Sequence, residues 1–256
     1  MLDHVQPFYD ALADFYHLIF DDWDQAIARQ GRVIDALLRT RCGAGPLQVL
    51  DCACGIGTQA IGLAALGHHV TGSDLSPAAV ERARREVLKR GLEAEFHVSD
   101  MTQLAEVSSD PFDVVIAFDN ALPHLSADQL LLAAQAFRRV LRAGGMFIAG
   151  IRNYDELIRS RPTVMGPSFI GTPGARRIVH QVWDWTGTET YDVHLYISLE
   201  QQEGWKSLHF VSKYRCLLRA EIDAALRSAG FAEIEWVMPE GSGSYQPVVT
   251  ARAVQA

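Results

Sequence analysis

Two short segments of this 256-residue chain end in residues that could hold a nucleoside-bearing ligand. Residues 47–51 are an apolar run that ends in Asp51, and the glycine-rich turn 54–57 follows it. Residues 69–73 form a second run, which Asp74 follows. Glycines let a backbone approach a ligand closely and leave its amides free to donate. An acid after the second strand accepts hydrogen bonds from a ribose diol. The sequence therefore predicts a site for a nucleoside-bearing cofactor.

Charge distinguishes between two cofactors that share these features. Residues 55–60, with Gly55 and Gly57, fit the looser dinucleotide pattern of a nicotinamide site. Asp51, just before the turn, would oppose a pyrophosphate but suits the ammonium and sulfonium of S-adenosylmethionine. Asp100 and Met101 follow the third predicted strand, where an acid can pair with the adenine amino group and its neighbour can cover the ring. These features favour S-adenosylmethionine, with a nicotinamide-dependent oxidoreductase left as an alternative.

Alternating strand and helix patterns must position these side chains. The predicted strands are 47–51, 69–73, 94–98, 112–118 and 145–151, and the predicted helices are 58–66, 77–90 and 128–141. This alternation implies a parallel sheet with helices on both faces. Ligands bind such sheets at the carboxyl ends of the strands, where the strand order reverses. We therefore predict an α/β, Rossmann-like fold.

The pattern differs before and after this region. Residues 8–39 read as helical, with a break at the aspartates of 21–24, which favour caps over helix interiors. The segment 176–216 holds three runs rich in β-branched and aromatic residues and predicts a small antiparallel sheet. We expect a single domain, 1–256, made of four parts. They are an N-terminal helical cap (1–40), a cofactor-binding core (45–151), an antiparallel insertion that forms a substrate lid (152–217) and the end of the core (218–256).

The composition of the chain indicates which classes of partner it binds. The net charge is −8 and no dense basic run is present, which disfavours nucleic acid as a partner and favours a small-molecule substrate. The four cysteines suit neither a disulfide framework nor a zinc site, and no metal site is predicted. Residues 1–7 do not resemble a signal peptide, and no apolar run is long enough to cross a membrane. We expect a cytoplasmic protein and leave open whether it is a homo-oligomer.

Four motifs together resemble a known family. The segments 49–57, 71–76, 113–115 and 141–145 look like those of the class I S-adenosylmethionine-dependent methyltransferases. The resemblance covers roughly residues 45–150 and implies a seven-stranded, mostly parallel sheet. It also implies that the cofactor contacts the following residues: Asp51, Ala53, Gly55, Gly57, Asp74, Leu75, Asp100, Met101 and Phe118.

A narrower likeness concerns the acceptor. Residues 120–125 and 152–155 are similar to the N-S-F-x-H-L and R-N-Y-D segments of glycine and sarcosine N-methyltransferases. This likeness implies that Asn120 and Arg152 hold the substrate, with Arg152 on its carboxylate, a role that suits its planar fork. The sequence departs from the family at Asp119, where glycine is frequent, and at 150–151, where Asp-His is frequent.

The remaining predicted site residues come from the N-terminal cap and from the segment 120–125. The resemblance implies that the cap folds over the cofactor. Tyr9 would then have a catalytic role, Tyr16 would contact the cofactor, and Arg29 would bind the carboxylate of its methionine part. His124 could help an amine lose its proton. Each side chain also has a structural reading: Asn120 as a helix cap, Arg152 as a surface ion-pair partner, His124 as a satisfied core histidine.

The sequence thus predicts a transferase that moves a methyl group from S-adenosylmethionine to a small acceptor, most simply an amine or amino acid. A small-molecule O-methyltransferase of secondary metabolism is the main alternative, and loss of His124 would then abolish turnover because a hydroxyl needs a base. A non-catalytic module that binds S-adenosylmethionine and an NAD-dependent oxidoreductase are more distant alternatives.

Overall fold

The computed structural model describes residues 4–104, 107–108 and 110–254, so the outer ends of the predicted cap and of the last core segment lie outside it. The α-helices of these residues are α1 Val5–Leu12, α2 Trp23–Cys42, α3 Thr58–Ala64, α4 Pro77–Lys89, α5 Ala127–Val140, α6 Tyr154–Ser160, α7 Arg219–Ser228 and α8 Pro239–Ser242. The strands are β1 Gln48–Asp51, β2 His69–Asp74, β3 Glu95–Val98, β4 Phe112–Ala117, β5 Leu141–Gly150, β6 Val164–Ile170, β7 Arg177–Trp185, β8 Thr190–Gln201, β9 Gly204–Arg215, β10 Phe231–Val237 and β11 Val248–Ala253. Short 3₁₀ turns cover Tyr16–Ile19 and Leu122–His124.

The large sheet has seven strands in the order β3-β2-β1-β4-β5-β11-β10. Strands β1 to β5 pair in parallel, and β11 runs antiparallel to both of its neighbours. The predicted seven-stranded, mostly parallel sheet is therefore confirmed. The strand order reverses between β1 and β4, which is where open α/β sheets bind their ligands. Both strands are buried on both faces, and Val49, Leu50, Val114 and Val115 are fully inaccessible to solvent.

Local sequence explains the helix boundaries. Asp22 caps α2 by accepting a hydrogen bond from the Gln25 amide (3.0 Å), which accounts for the predicted break in the cap region. Ser76 caps α4 in the same way through the Ala79 amide (3.1 Å), with Pro77 in the first turn. Ser126 and Gln129 form a capping box at the start of α5. These helix starts thus follow the standard preferences for caps.

The insertion contains one strand more than predicted. It is a four-stranded antiparallel sheet in which β6 to β9 pair in chain order. Strand β6 lacks an apolar alternation because its residues are exposed except for Ile170, and it contains Pro167. Helix α6 also went unpredicted, since Tyr154 is its one buried residue.

Three apolar clusters hold these layers together. Two large clusters fill the two faces of the seven-stranded sheet, one against α5 and α7 and the other against α2, α3 and α4. Trp183 and Tyr191 of the insertion belong to the first of them. A third, small cluster joins α1 to the inner face of the inserted sheet through four buried residues, Phe8, Leu12, Leu195 and Ile197. Helix α1 therefore contacts the insertion, and it also contacts α4 of the core, where Asp10 accepts hydrogen bonds from the Ser76 hydroxyl (2.5 Å) and the Ala78 amide (3.2 Å). In the described residues, no helix combines the length and apolarity needed to cross a membrane.

Helices α2 and α3 approach each other closely where two glycines meet. A Cβ on Gly62 would lie 2.6 Å from the Ile27 carbonyl oxygen, and a Cβ on Gly31 would lie 2.7 Å from the Gly62 carbonyl carbon. Both neighbours are backbone atoms and cannot move aside alone. This close approach brings the Trp23 indole to the Thr58 hydroxyl (2.9 Å), at the first residue of α3.

We expect Gly62→Ala to lower the free energy of unfolding by about 1–3 kcal/mol, because the added methyl would force the two helices apart. Thermal unfolding measures this as a lower Tm. Gly241→Ala is the matched control, since its Cβ would contact a Val237 side-chain methyl at 3.3 Å and no backbone atom within 4 Å. Equal Tm values for the two variants would contradict the close approach.

Candidate active site

The glycine turn after β1 is shaped by two glycines with different roles. Gly57 has a left-handed backbone (φ 92°) and starts α3, and a Cβ there would lie 3.0 Å from the Ile61 side chain. Gly55 is also left-handed (φ 50°), but a Cβ there would meet no atom within 4 Å. Gly57 thus permits the turn to pack, whereas Gly55 leaves open space at the carboxyl end of β1.

Asp74 ties this turn to the second strand. Its Oδ2 accepts a hydrogen bond from the Gly55 amide (2.9 Å), and its Oδ1 accepts one from the Ser76 amide (2.9 Å). Burial raises the pKa of Asp74 above its ordinary value, and these amide hydrogen bonds oppose the rise. The carboxylate therefore organises the turn and also faces the adjoining cavity.

Asp51 is buried with an unsatisfied oxygen. The Ala53 amide donates to its Oδ1 over a long 3.5 Å, whereas Oδ2 has no hydrogen-bond partner in the described residues. Burial raises the pKa of Asp51 to about 8, and the negative charges of Asp74 and Asp119 add to the rise. A buried carboxylate of this kind would be stabilised by a cation bound nearby.

A cleft of about 730 Å³, counting its open mouth, lies beside these residues at the switch point of the sheet. Most of the predicted cofactor residues line it: Tyr16, Ala53, Gly55, Asp74, Leu75, Asp100, Met101 and Phe118. Tyr9 and His124, which the sequence assigned to catalysis, line the same cleft. Asp51 and Gly57 are not part of its lining, and Arg29 lines a different cavity.

That second, open cavity of about 2110 Å³ adjoins the first. Its walls come from α1, the inner face of the inserted sheet and the segment around α8, and it contains Asn120, Arg152 and Arg29. Tyr9, Tyr16 and Asp119 line both cavities and so mark the place where they meet. The arrangement offers one compartment for a nucleoside-bearing cofactor and another for an acceptor.

The turn after β4 separates the two cavities and has an unusual backbone. Asp119 (φ 55°) and Asn120 (φ 66°) are consecutive left-handed residues, a conformation that Asp and Asn tolerate better than other side chains. The buried Asn120 amide donates to the Tyr154 hydroxyl (2.9 Å), and its Oδ1 accepts a hydrogen bond from the Arg152 amide (3.2 Å). Asn120 therefore fixes the turn and positions the backbone of Arg152.

Sequence reasoning missed Asp119 as a site residue. Its Oδ2 accepts a hydrogen bond from the Gln59 amide group (2.8 Å), and its Oδ1 accepts one from the Tyr245 hydroxyl (2.5 Å). Burial raises the pKa of Asp119 above its ordinary value, and both hydrogen bonds limit that rise. The sequence shows that an aspartate replaces the frequent glycine at this position, but the hydrogen-bond partners of Asp119 lie far away along the chain.

Arg152 is a partly buried cation without an acidic partner among the described residues. Its Nη2 reaches the Gln181 side-chain oxygen at 3.5 Å, and its Nη1 has no partner. The guanidinium lies 4.9 Å from the centre of the Trp183 ring and 5.9 Å from that of Tyr214. The alternative that Arg152 forms a surface ion pair is therefore wrong. A partly buried guanidinium with free donors is suited to bind a carboxylate.

His124 forms a fixed pair with Tyr9. The Nδ1 of His124 lies 3.1 Å from the Lys213 carbonyl oxygen and so carries the proton, which leaves Nε2 to accept from the Tyr9 hydroxyl at 3.0 Å. Burial lowers the pKa of His124 to about 3. The ring is consequently neutral, and its Nε2 is already occupied. His124 positions Tyr9 rather than facing the acceptor with a free nitrogen.

We expect His124→Gln to reduce kcat/KM about tenfold or less and to leave the shape of its pH profile between pH 5.5 and 8 unchanged, because the ring does not titrate there. Steady-state kinetics across that range measures both quantities. Loss of an ionisation near neutral pH in the variant, or a loss of activity beyond a thousandfold, would contradict this role.

Comparison with known proteins agrees with this geometry. Residues 49–145 match the methyltransferase domain family. A glycine/sarcosine N-methyltransferase from Parasynechococcus marenigrum is 32% identical over 166 residues, which cover 63% of this chain and 57% of that protein. A ubiquinone biosynthesis O-methyltransferase from Maricaulis maris is 33% identical over 107 residues, or 42% of this chain and 41% of that protein. The chain therefore spans about half the length of these relatives.

Solved structures extend the likeness over the whole fold. DesVI from Streptomyces venezuelae superposes with a TM-score of 0.79 at 21% identity, covering 95% of this chain and 98% of that one. An S-adenosylmethionine-bound amino pentose methyltransferase from Micromonospora echinaspora gives a TM-score of 0.72 at 20% identity, covering 89% and 92%. These likenesses include the insertion as well as the core.

Residues 49–145 are thus a methyltransferase domain, and the fold around them resembles that of S-adenosylmethionine-dependent methyltransferases. The cofactor of this domain is S-adenosylmethionine, and the residues present fit that molecule. The partnerless oxygen of Asp51 and the nearby carboxylate of Asp74 give a negative environment for a sulfonium and an ammonium. The open space at Gly55 admits a ligand close to the backbone.

Proposed function

We propose that this enzyme methylates the nitrogen of a small amine that also carries a carboxylate, such as an amino acid. The observation that carries the proposal is Arg152, which is partly buried with an inaccessible and partnerless Nη1, lines the second cavity and has no acidic partner in the described residues. Leaving a guanidinium partly buried and unpaired is costly, and a bound carboxylate would relieve that cost. The relative from Parasynechococcus marenigrum, by its name, methylates glycine and sarcosine, which are acceptors of this class.

The second cavity suits an acceptor larger than glycine. Its volume of about 2110 Å³, counting its open mouth, exceeds what a two-carbon amino acid needs. Apolar side chains of α1 and β8, among them Phe8, Leu12 and Leu195, contribute to its walls. We therefore include in the proposed substrate class amino acids with apolar side chains.

The residues of the chain have little covalent chemistry to perform. S-adenosylmethionine supplies an electrophilic methyl group on a positively charged sulfur. Tyr9, Tyr16 and Asp119 stand where the two cavities meet, so they would align the acceptor nitrogen with that methyl. Helix α1 and the inserted sheet cover this junction and would exclude water from it.

The state of His124 supports nitrogen over oxygen as the acceptor atom. A hydroxyl acceptor usually needs a base, and the neutral His124, with its Nε2 bound to Tyr9, is a poor one. The O-methyltransferase alternative keeps one observation in its favour, the similarity to the enzyme from Maricaulis maris. We further propose that the enzyme works in a reducing cytoplasm, where free cysteines such as the four found here are usual. We also propose that its acceptor is not a nucleic acid.

An acceptor panel tests the proposal directly. Methyl transfer from labelled S-adenosylmethionine would be measured with glycine, sarcosine, phenylalanine, phenethylamine and catechol. We expect phenylalanine to exceed phenethylamine, which lacks the carboxylate, by at least a hundredfold in kcat/KM. Catechol should be the poorest acceptor. Preferential methylation of catechol, or equal rates for phenylalanine and phenethylamine, would overturn the proposal.

A further inference from the structure

We propose that Asp119 receives the ammonium group of the acceptor and takes its proton before methyl transfer. The acceptor would then lie as a zwitterion between Asp119 and Arg152. This inference rests on the proposed function and deepens it, because it assigns a residue to the step that generates the nucleophile.

The position of Asp119 is the first argument. Within the described residues, it is the one carboxylate that lines both cavities. Asp74 and Asp100 line the cofactor cleft alone, whereas Glu156 and Glu240 line the acceptor cavity alone. An amine that attacks the methyl group must reach the junction of the two cavities, so Asp119 is the acid that its ammonium group meets there.

The backbone at this position is the second argument. Asp119 and Asn120 both hold a left-handed conformation, which costs free energy in residues other than glycine. The Asn120 side chain secures the turn through Tyr154 and the Arg152 amide. The same turn therefore fixes the backbone from which Asp119 projects and the backbone from which Arg152 projects, as recognition of a zwitterion by the two side chains requires.

The charges around Asp119 make proton transfer feasible. Its carboxyl is faced by Gln59 of α3, by Tyr16, by Tyr245, by Arg152 and by the buried Asp51. Burial raises the pKa of Asp119. An ammonium brought between Arg152 and the sulfonium of the cofactor would have a lowered pKa, because both neighbours are positive. The two pKa values thus approach each other at the junction.

The step balances as follows. An N–H bond of the ammonium breaks, and its proton moves to a carboxylate oxygen of Asp119. The freed lone pair on nitrogen forms the new N–C bond while the C–S bond breaks and its electron pair stays on sulfur. The methylated amine is again cationic, and the proton on Asp119 passes to water when the product leaves.

The decisive variant is Asp119→Asn, which keeps the size of the side chain and its tolerance of a left-handed backbone. We expect kcat/KM for phenylalanine to fall about 10²–10³-fold at pH 7, in the range of general-base effects. The loss should shrink progressively toward pH 10, where the amine loses its proton in solution. Calorimetric binding of S-adenosylhomocysteine should stay within a few-fold of wild type.

Tyr245→Phe is the matched control because it removes one hydrogen bond to Asp119 and keeps the carboxylate. That hydrogen bond lowers the pKa of Asp119, so its loss should move the acidic limb of the kcat/KM profile to higher pH. Asp119→Gly relieves the left-handed backbone and deletes the carboxylate. If it matched wild type in kcat/KM at every pH, the acid would have no catalytic role.

The outcomes separate this inference from the proposed function. If the wild-type enzyme methylates phenylalanine and Asp119→Asn shows a pH-dependent loss of kcat/KM, both the role of Asp119 and the proposed function are supported. Wild-type methylation of phenylalanine with an unchanged Asp119→Asn profile overturns the role of Asp119 and leaves the proposed function standing. A variant that loses S-adenosylhomocysteine affinity but keeps its pH profile assigns Asp119 to the cofactor instead. Transfer to catechol alone, or to no member of the panel, overturns both.

Discussion

Arg152→Met should reduce kcat/KM for phenylalanine by about 10²–10³-fold and leave kcat/KM for phenethylamine within a few-fold of wild type. Breaking a buried, hydrogen-bonded charge pair in a complex costs roughly 2–5 kcal/mol, and that pair can form with the carboxylated acceptor alone. Methionine keeps much of the packing against Trp183 and Tyr214, whose rings lie 4.9 and 5.9 Å from the guanidinium. The loss should appear chiefly in KM. Steady-state kinetics on the two acceptors measures it.

The stability of the Arg152→Met variant tests independently whether Arg152 has an ion-pair partner within the protein. No acid of the described residues pairs with the guanidinium, so its removal breaks no internal ion pair. We expect the free energy of unfolding of Arg152→Met to equal or exceed that of wild type, since a partly buried charge without an acidic partner is removed. Arg219→Met is the matched control, because Arg219 pairs with Asp155 at 2.8 Å on a more exposed surface. It should leave both acceptors unaffected. Equal losses for phenylalanine and phenethylamine in Arg152→Met would sink the carboxylate assignment.

Asp51→Asn should stabilise the cofactor-free protein at pH 8 and weaken cofactor binding at least tenfold. Burial raises the pKa of Asp51 from 3.8 to about 8. The unfolded chain therefore releases this proton near pH 4, whereas the folded protein keeps it until about pH 8. The free energy of unfolding falls as pH rises through that window, by about 1.4 kcal/mol per pH unit, and falls no further above it. Asparagine removes this slope and can still accept from the Ala53 amide.

Urea unfolding at pH 5, 7 and 8 measures the effect on stability, and calorimetric titration with S-adenosylhomocysteine measures the effect on binding. The gain in stability should reach a few kcal/mol at pH 8 and shrink at pH 5. Asp113→Asn is the matched control, a buried acid on the neighbouring strand that pairs with Arg142 and accepts from the Gln48 amide (2.8 Å). It should destabilise the protein. A wild-type protein more stable than Asp51→Asn at pH 8 would show that Asp51 is satisfied within the fold.

The α/β core could be predicted from sequence because its signals are local. Strand β4 is a continuous apolar run that is buried on both faces, and α4 begins at a serine cap followed by proline. Strand β6 offers no such signal, since six of its seven residues are exposed. Its existence depends on pairing with β7, which a one-dimensional pattern does not record.

The candidate site likewise has a part that could be predicted from the sequence and a part that could not. The predicted cofactor residues lie at or just after strand ends of the core, so the place of Asp74, Asp100 and Met101 beside the first cleft could be predicted from sequence. The roles of His124 and Asp119 depend on partners distant in sequence. Tyr9 lies 115 residues from His124, and Tyr245 lies 126 residues from Asp119. Such contacts decide whether a histidine is a free base or a neutral acceptor, and the fold alone supplies them.

The small cluster that joins α1 to the inserted sheet bears on how this enzyme can change over evolutionary time. Phe8, Leu12, Leu195 and Ile197 form an apolar core apart from the two that stabilise the cofactor domain. Substitutions in this cluster and on the adjoining cavity wall would reshape the acceptor compartment at little cost to the global stability of the sheet. We therefore expect substitutions in α1 and the inserted sheet to change the acceptor compartment without changing the site at the carboxyl end of β1.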